Sequence, residues 1–210
     1  MKTKVAIFSA LAAFLLSSCM VAVNNPDQSS SDGSHAPAHQ QFTRATSACF
    51  PFQDNSNWWH YTEAGGNTTT IHVTDTISDN NILYHKVSFR ENRVDTTDDW
   101  FKKTTTGIYF SRSLISGYTL FIPAKIDSMH GTFESGSSTV TYSYYDSLSI
   151  DGVLFYGVLH AEYSFPLLHG FDEITFADSI GIIRLIDHTG RWPISYTIDS
   201  CSVSGTVKRF

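Results

Sequence analysis

Val140-Thr141-Tyr142-Ser143-Tyr144-Tyr145-Asp146-Ser147-Leu148-Ser149-Ile150-Asp151-Gly152-Val153-Leu154-Phe155-Tyr156-Gly157-Val158-Leu159-His160-Ala161-Glu162-Tyr163-Ser164 contains its own turn. Asp151-Gly152 is a preferred two-residue hairpin connection, because both central positions need positive φ and these two residues tolerate it. Residues 140–150 and 153–164 are therefore expected to pair as antiparallel strands. In the second strand Val153, Phe155, Gly157, Leu159, Ala161 and Tyr163 share one face. The other face carries Leu154, Tyr156, Val158, His160 and Glu162, and is apolar for half its length. Alternation with a period of two, and apolar residues on both sides, suits a strand of a curved sheet.

The same texture extends outward from this hairpin. Trp58-Trp59-His60-Tyr61-Thr62-Glu63 runs into the turn Ala64-Gly65-Gly66-Asn67. Residues 70–77 alternate, with Ile71, Val73 and Asp75 in phase, and Ser78-Asp79-Asn80-Asn81 turns into a strand over 82–90. Short pieces follow at Trp100-Phe101, Ile108-Tyr109-Phe110 and Thr119-Leu120-Phe121-Ile122, then longer ones at 174–186 and 194–203. No window holds a helical period, so the crossover helices of a parallel sheet are missing. The expected fold is all-β: eight to ten short strands in a curved antiparallel sheet, a meander or partly closed barrel, over residues 49–210.

The first 48 residues are of another kind. Lys2 and Lys4 precede an apolar run over 5–16, ending in Leu16-Ser17-Ser18-Cys19. That order reads as a secretory signal over residues 1–18, too short to span a bilayer. Leu-Ser-Ser-Cys resembles the lipobox of bacterial lipoproteins, which implies acylation of Cys19 and a membrane partner reached through the lipid. Met20 and Val21 follow the cysteine without an aspartate, which favours the outer membrane of the cell envelope. Residues 19–48, poor in anything to bury, read as a flexible tether. His35 and His39 within it are too few to hold a metal.

The chain carries a formal charge of -6, which becomes about -8 once Lys2 and Lys4 are removed with the signal. An acidic protein repels phosphate backbones, so nucleic acid is excluded as a partner class. Cys49 and Cys201 remain after acylation, and an exported pair is expected to form a disulfide. Closing a loop of about 150 residues would contribute roughly 5 kcal/mol in the chain-entropy model.

Candidate chemistry is thin. Neighbouring tryptophans on a strand point to opposite faces, so at most one of Trp58 and Trp59 enters a one-sided core. The other, with Trp100, is a candidate stacking platform for a sugar. His60, His72, His85, His130, His160, His169 and His188 show no metal-ligand spacing, although His72 and His85 are placed as cross-strand neighbours by the turn at 78–81. Glu134, Glu162, Asp172 and Glu173 could supply an acid/base pair only if the fold brought them together. Asp75, Asp79, Asp95, Asp98 and Asp99 read as solvated turn residues, without the spacing of a calcium loop. No nucleophile elbow or phosphate loop is present. The expectation is a protein with no catalytic residues, no cofactor and no metal.

Three patterns carry a family resemblance. They are Phe50-Pro51-Phe52-Gln53 with Asn57-Trp58-Trp59-His60-Tyr61, then Asp146-Ser147-Leu148-Ser149-Ile150-Asp151-Gly152 with Phe155 and Val158, then Phe176-Ala177-Asp178-Ser179-Ile180-Gly181-Ile182-Ile183-Arg184. Together, over residues 49–203, they resemble the TapB-like bacterial envelope proteins. The resemblance implies a β-rich fold similar to periplasmic lipoprotein carriers and supplies no active site. Asp54-Asn55-Ser56 and Asp178-Ser179 depart from the family's glycine-containing turns. It leads to a noncatalytic lipid-anchored envelope domain that binds an apolar or polymeric ligand on a curved sheet, unless its own side chains fill that sheet. The alternatives are a glycan-binding module built on the tryptophans, or a hydrolase.

Overall fold

The computed structural model describes residues 42–46, 49, 55–92, 94–115, 117–166 and 168–210. The signal segment, Cys19 and nearly all of the tether lie outside the described residues. Among those described there are fifteen strands and no helix. In order they are β1 (Arg44–Ala45), β2 (Trp58–Glu63), β3 (Thr68–Asp79), β4 (Ile82–Glu91) and β5 (Val94–Lys103). Next come β6 (Gly107–Ser111), β7 (Thr119–Pro123), β8 (Lys125–Ile126), β9 (His130–Ser135) and β10 (Ser138–Ile150). The chain ends with β11 (Val153–Tyr163), β12 (Glu173–Ala177), β13 (Gly181–Asp187), β14 (Ile194–Val203) and β15 (Thr206–Arg209).

Twelve strands form one antiparallel path, β7-β6-β5-β4-β3-β2-β14-β13-β12-β11-β10-β9. Every link but one joins strands adjacent in sequence; the exception is β2 against β14. The two ends of the path, β7 and β9, come back against each other, so the sheet is nearly closed into a barrel. Tyr163 Oη of β11 donates to the Phe121 carbonyl of β7 at 2.8 Å, which ties the two limbs where no ladder joins them. β15 pairs with the second half of β14, and the short ribbon β1-β8 stands apart.

The hairpin turns follow local chemistry. Asp151 and Gly152 have φ of 49° and 85°, with Ile150 opposite Val153. Asn80 and Asn81, at 49° and 63°, turn β3 into β4 with Asp79 opposite Ile82. Residues 174–186, read as one strand, are two. Asp178-Ser179-Ile180 reverses the chain, with Ser179 at 61° and Gly181 at 104°. Gly157, facing inward on β11 at +59°, must remain glycine, since a Cβ there would run into the Asp178 carboxylate.

Three further expectations are corrected. Asp75 is not in phase with Ile71 and Val73, because a bulge between Val73 and Asp75 reverses the alternation and leaves it solvated, as its reading among the solvated aspartates expects. The domain begins upstream of Cys49. Phe42 packs on Tyr144 at 5.8 Å, Arg44 reaches Asp146 at 3.1 Å, and the Thr46 hydroxyl bonds the Pro123 carbonyl. The expected Cys49–Cys201 disulfide is absent and both thiols are free and buried. Cys49 Sγ lies 3.5 Å from Asp178 Oδ1, whereas Cys201 sits in β14 between Trp59 and Lys208. Burial, before any charge, pushes both thiols above their ordinary range, which makes them poor nucleophiles.

Among the described residues the interior is packed largely with side chains of the sheet. Trp59, Tyr61, Phe101, Phe121, Phe155 and Phe176 are fully buried there. Phe121 has four aromatic neighbours, Phe101, Phe110, Tyr163 and Phe176, with ring centres 5.4 to 6.4 Å away.

Candidate functional site: a plugged sheet interior

The tryptophans divide by register. Trp59 is paired with Cys201 and Ile71 and is buried, its indole N–H donating to the Ile180 carbonyl. It belongs to the core, which removes it from the expected stacking platform. Trp58 on β2 and Trp100 on β5 face outward and are half-buried. Between them lie His72, Ser88, Lys86 and Asp98. Lys86 Nζ stands 2.7 Å from Asp98 and the Ser88 hydroxyl donates to it at 2.5 Å; these bonds hold the Asp98 carboxyl below its usual range.

The histidines do not converge on one centre. His72 registers with Ser88 and faces outward, while His85 registers with Thr76 and is buried, so they are not the cross-strand neighbours expected. Glu162 and Glu173 stand directly opposite each other on β11 and β12, a destabilising like-charge pair. His160 and His188 lie beside it. His160 Nε2 lies 3.3 Å from Glu162 and 3.7 Å from Glu173; His188 lies 2.8 Å from Asp172 and 3.8 Å from Glu173. The hydrogen bond to Asp172 holds the His188 imidazole above its ordinary range. Among the described residues no group of three or more His, Cys, Asp or Glu could hold a metal ion. His60 Nδ1 of β2 approaches Asp199 of β14 at 2.8 Å. Burial pushes that carboxyl up, but hydrogen bonds from Ser200, Thr62 and His60 outweigh it and leave it low.

Sequence reasoning missed the most unusual feature. Asp99, assigned above to a solvated turn, is 1% exposed and points inward from β5. Its Oδ2 lies 2.8 Å from His169 Nε2, although among the described residues neither carboxylate oxygen makes a hydrogen bond of good geometry. His169 belongs to the connection between β11 and β12, yet it touches β4 and β5, five to seven steps away along the strand path. The connection therefore crosses the interior as a plug. Leu168 is fully buried, Phe171 meets Tyr196 edge-on at 5.7 Å, and the His169 ring lies 3.9 Å from Phe89. His169 and Gly170 both take positive φ, 50° and 93°, which turns the connection inward. Beside the plug is a cavity of about 110 Å³, lined in part by Phe89, Arg90, His169, Phe171 and Tyr196. The signal for Asp99 was available: it is in phase with Phe101, two residues on, and so faces the core.

These features define a class: an all-β domain, an antiparallel sheet nearly closed into a barrel and stopped by one of its own connections. No protein-family model and no curated protein matches the chain. Among solved structures it is similar to a candidate exported protein with YmcC-like fold from Bacteroides fragilis. That match has 10% identity and a TM-score of 0.35, covering 76% of this chain and 98% of the other. It is also similar to a candidate lipoprotein from Parabacteroides distasonis, with 9% identity and a TM-score of 0.35, covering 76% and 97%.

Proposed function

We propose that the chain is a noncatalytic, lipid-anchored protein of the bacterial cell envelope, acting through its outer surface. The observation that carries the surface role is the filled interior. Small-molecule sites usually span roughly 300–1,000 Å³. The cavity beside the plug is about 110 Å³. A carrier-like role, with an apolar ligand held inside the curved sheet, therefore gives way to a role for the outside. The envelope placement rests on the cationic start, the apolar run and Leu16-Ser17-Ser18-Cys19, and the outer-membrane address on Met20 and Val21 after the cysteine. Cys19→Ser should abolish palmitate labelling and release the protein from the membrane fraction, because the thiol is the atom that receives the lipid. A wild-type chain that is soluble and unlabelled would overturn the anchor.

A second reading, a glycan-binding face, is favoured by one observation. Trp58 and Trp100 face outward on either side of the polar row His72, Ser88, Lys86 and Asp98. Three strand spacings separate β2 from β5, about 14 Å, a span for a short oligosaccharide. Replacing both tryptophans by alanine should reduce retention on cell-envelope polysaccharide severalfold; unchanged retention sinks this reading.

A further inference from the structure

Outside the sheet, the connection between β6 and β7 folds back over the tip of the β3–β4 hairpin. Ile115 on this connection is 91% exposed. With Leu114, Ile77 and Tyr84 it lines a groove of about 490 Å³, together with Ser78 and Asp79. The Tyr118 hydroxyl donates to the Leu114 carbonyl at 3.3 Å within the connection, and the Tyr118 ring packs on Tyr84 of β4 at 5.7 Å. Next to it Lys102 stands within reach of three tyrosine rings, Tyr118 at 4.2 Å, Tyr109 at 5.7 Å and Tyr84 at 6.0 Å. Arg112 is exposed three residues before Ile115.

We infer that the exposed segment Arg112 to Ile115 is a second membrane contact, dipping Leu114 and Ile115 into the surface of the bilayer that holds the lipid anchor. The inference rests on the acylation proposed above. The chemistry of the patch is that of an interfacial anchor. Aliphatic side chains sit at the tip and a belt of tyrosines surrounds them. Lys102 and Arg112 stand where headgroup phosphates would lie. Asp79 is the one carboxylate lining the groove. Another exposed apolar pair, Leu154 and Tyr156, lacks this setting. Asp146, Asp151 and Asp178 lie on the same two hairpins, so that face would meet an anionic surface with charge of the same sign. The tether supplies proximity. From Cys19 to Phe42 the chain is about 23 residues, a root-mean-square reach of roughly 25–30 Å. At that range even a weak second contact is populated, because binding is intramolecular.

The test uses the acylated full chain, purified from membranes and reconstituted into vesicles of phosphatidylethanolamine and phosphatidylglycerol. Ile115→Cys is labelled with an environment-sensitive fluorophore, and a second sample carries the label at Tyr156→Cys. Cys49 and Cys201 are buried and escape modification in the folded protein. The Ile115 label should shift to the blue and lose most of its emission to nitroxide lipids, while the Tyr156 label does neither. Adding Leu114→Asp to the Ile115-labelled chain should return its emission to the aqueous value. If the protein floats with vesicles but the Ile115 label stays aqueous, the second contact is wrong and the anchor stands. If the protein does not float, both are wrong. A blue shift at Ile115 that appears without lipid and grows with protein concentration would assign the patch to a second copy, and overturns the membrane contact. Quenching at Tyr156 instead overturns it too.

Discussion

Phe121→Ala should destabilise the domain by about 3–5 kcal/mol, the usual range for emptying a buried phenylalanine site. Phe121 is fully buried on β7, one end of the strand path, and it meets Tyr163 and Phe176 from β11 and β12 on the other limb. Truncation leaves a void among four rings and removes the apolar contact across the seam. The seam's hydrogen bond, donated by the Tyr163 hydroxyl, is accepted by the backbone carbonyl of residue 121 and is spared by the substitution. Such rigid aromatic neighbours have little freedom to collapse into the void, so the upper part of the range is expected. Urea unfolding followed by tryptophan fluorescence reads it directly, and for a domain of this size each kcal/mol lowers Tm by about 2–4 °C. A loss below about 1 kcal/mol would show that the two limbs are held together without this ring.

His169→Ala should cost nearly as much, about 3–5 kcal/mol, for a different reason. The substitution leaves Asp99, almost fully buried, without the imidazole that faces it at 2.8 Å. An uncompensated buried carboxylate costs more than the pair it came from contributes. Asp99→Ala/His169→Ala should therefore be more stable than His169→Ala alone, although it removes more atoms. Asp99→Ala alone should fall between them, since His169 keeps partial access to solvent. Urea melts of the three variants decide the matter. If the double variant is the least stable, Asp99 is not a buried charge dependent on His169, and the plug is held by Leu168 and Phe171 alone.

Some of this was legible from residues because its causes are local. Asp151-Gly152 and Asn80-Asn81 turn where they do because those residues accept positive φ, and the β10–β11 register follows from the turn. The inward set Phe155, Gly157, Leu159, Ala161 and Tyr163 is buried as read, while Val158, assigned to the outer face, is buried as well. Legibility failed where alternation broke. The bulge between Val73 and Asp75 put Asp75 outside, and Asp178-Ser179-Ile180 cut an apparent single strand in two. Asp99 was lost for a simpler reason. A charged residue beside Asp98 was read as solvated from its type, when its phase with Phe101 placed it inside.

The sequence by itself determined the class: short alternating strands, turns at their own residues, antiparallel pairing between neighbours and no helix to cross a sheet. Those are properties of segments of ten or so residues. Only the tertiary structure decided that β2 pairs with β14, that Trp59 and not Trp58 faces inward, and that the connection around His169 crosses the interior to reach Asp99. Each of these depends on contacts between residues roughly seventy to one hundred and fifty positions apart, or on a register in which one residue of slip exchanges the two faces of a strand. Either choice leaves the local pattern unchanged. Packing of the whole sheet selects between them, because the wrong choice would bury polar groups without partners and leave aromatic rings in water.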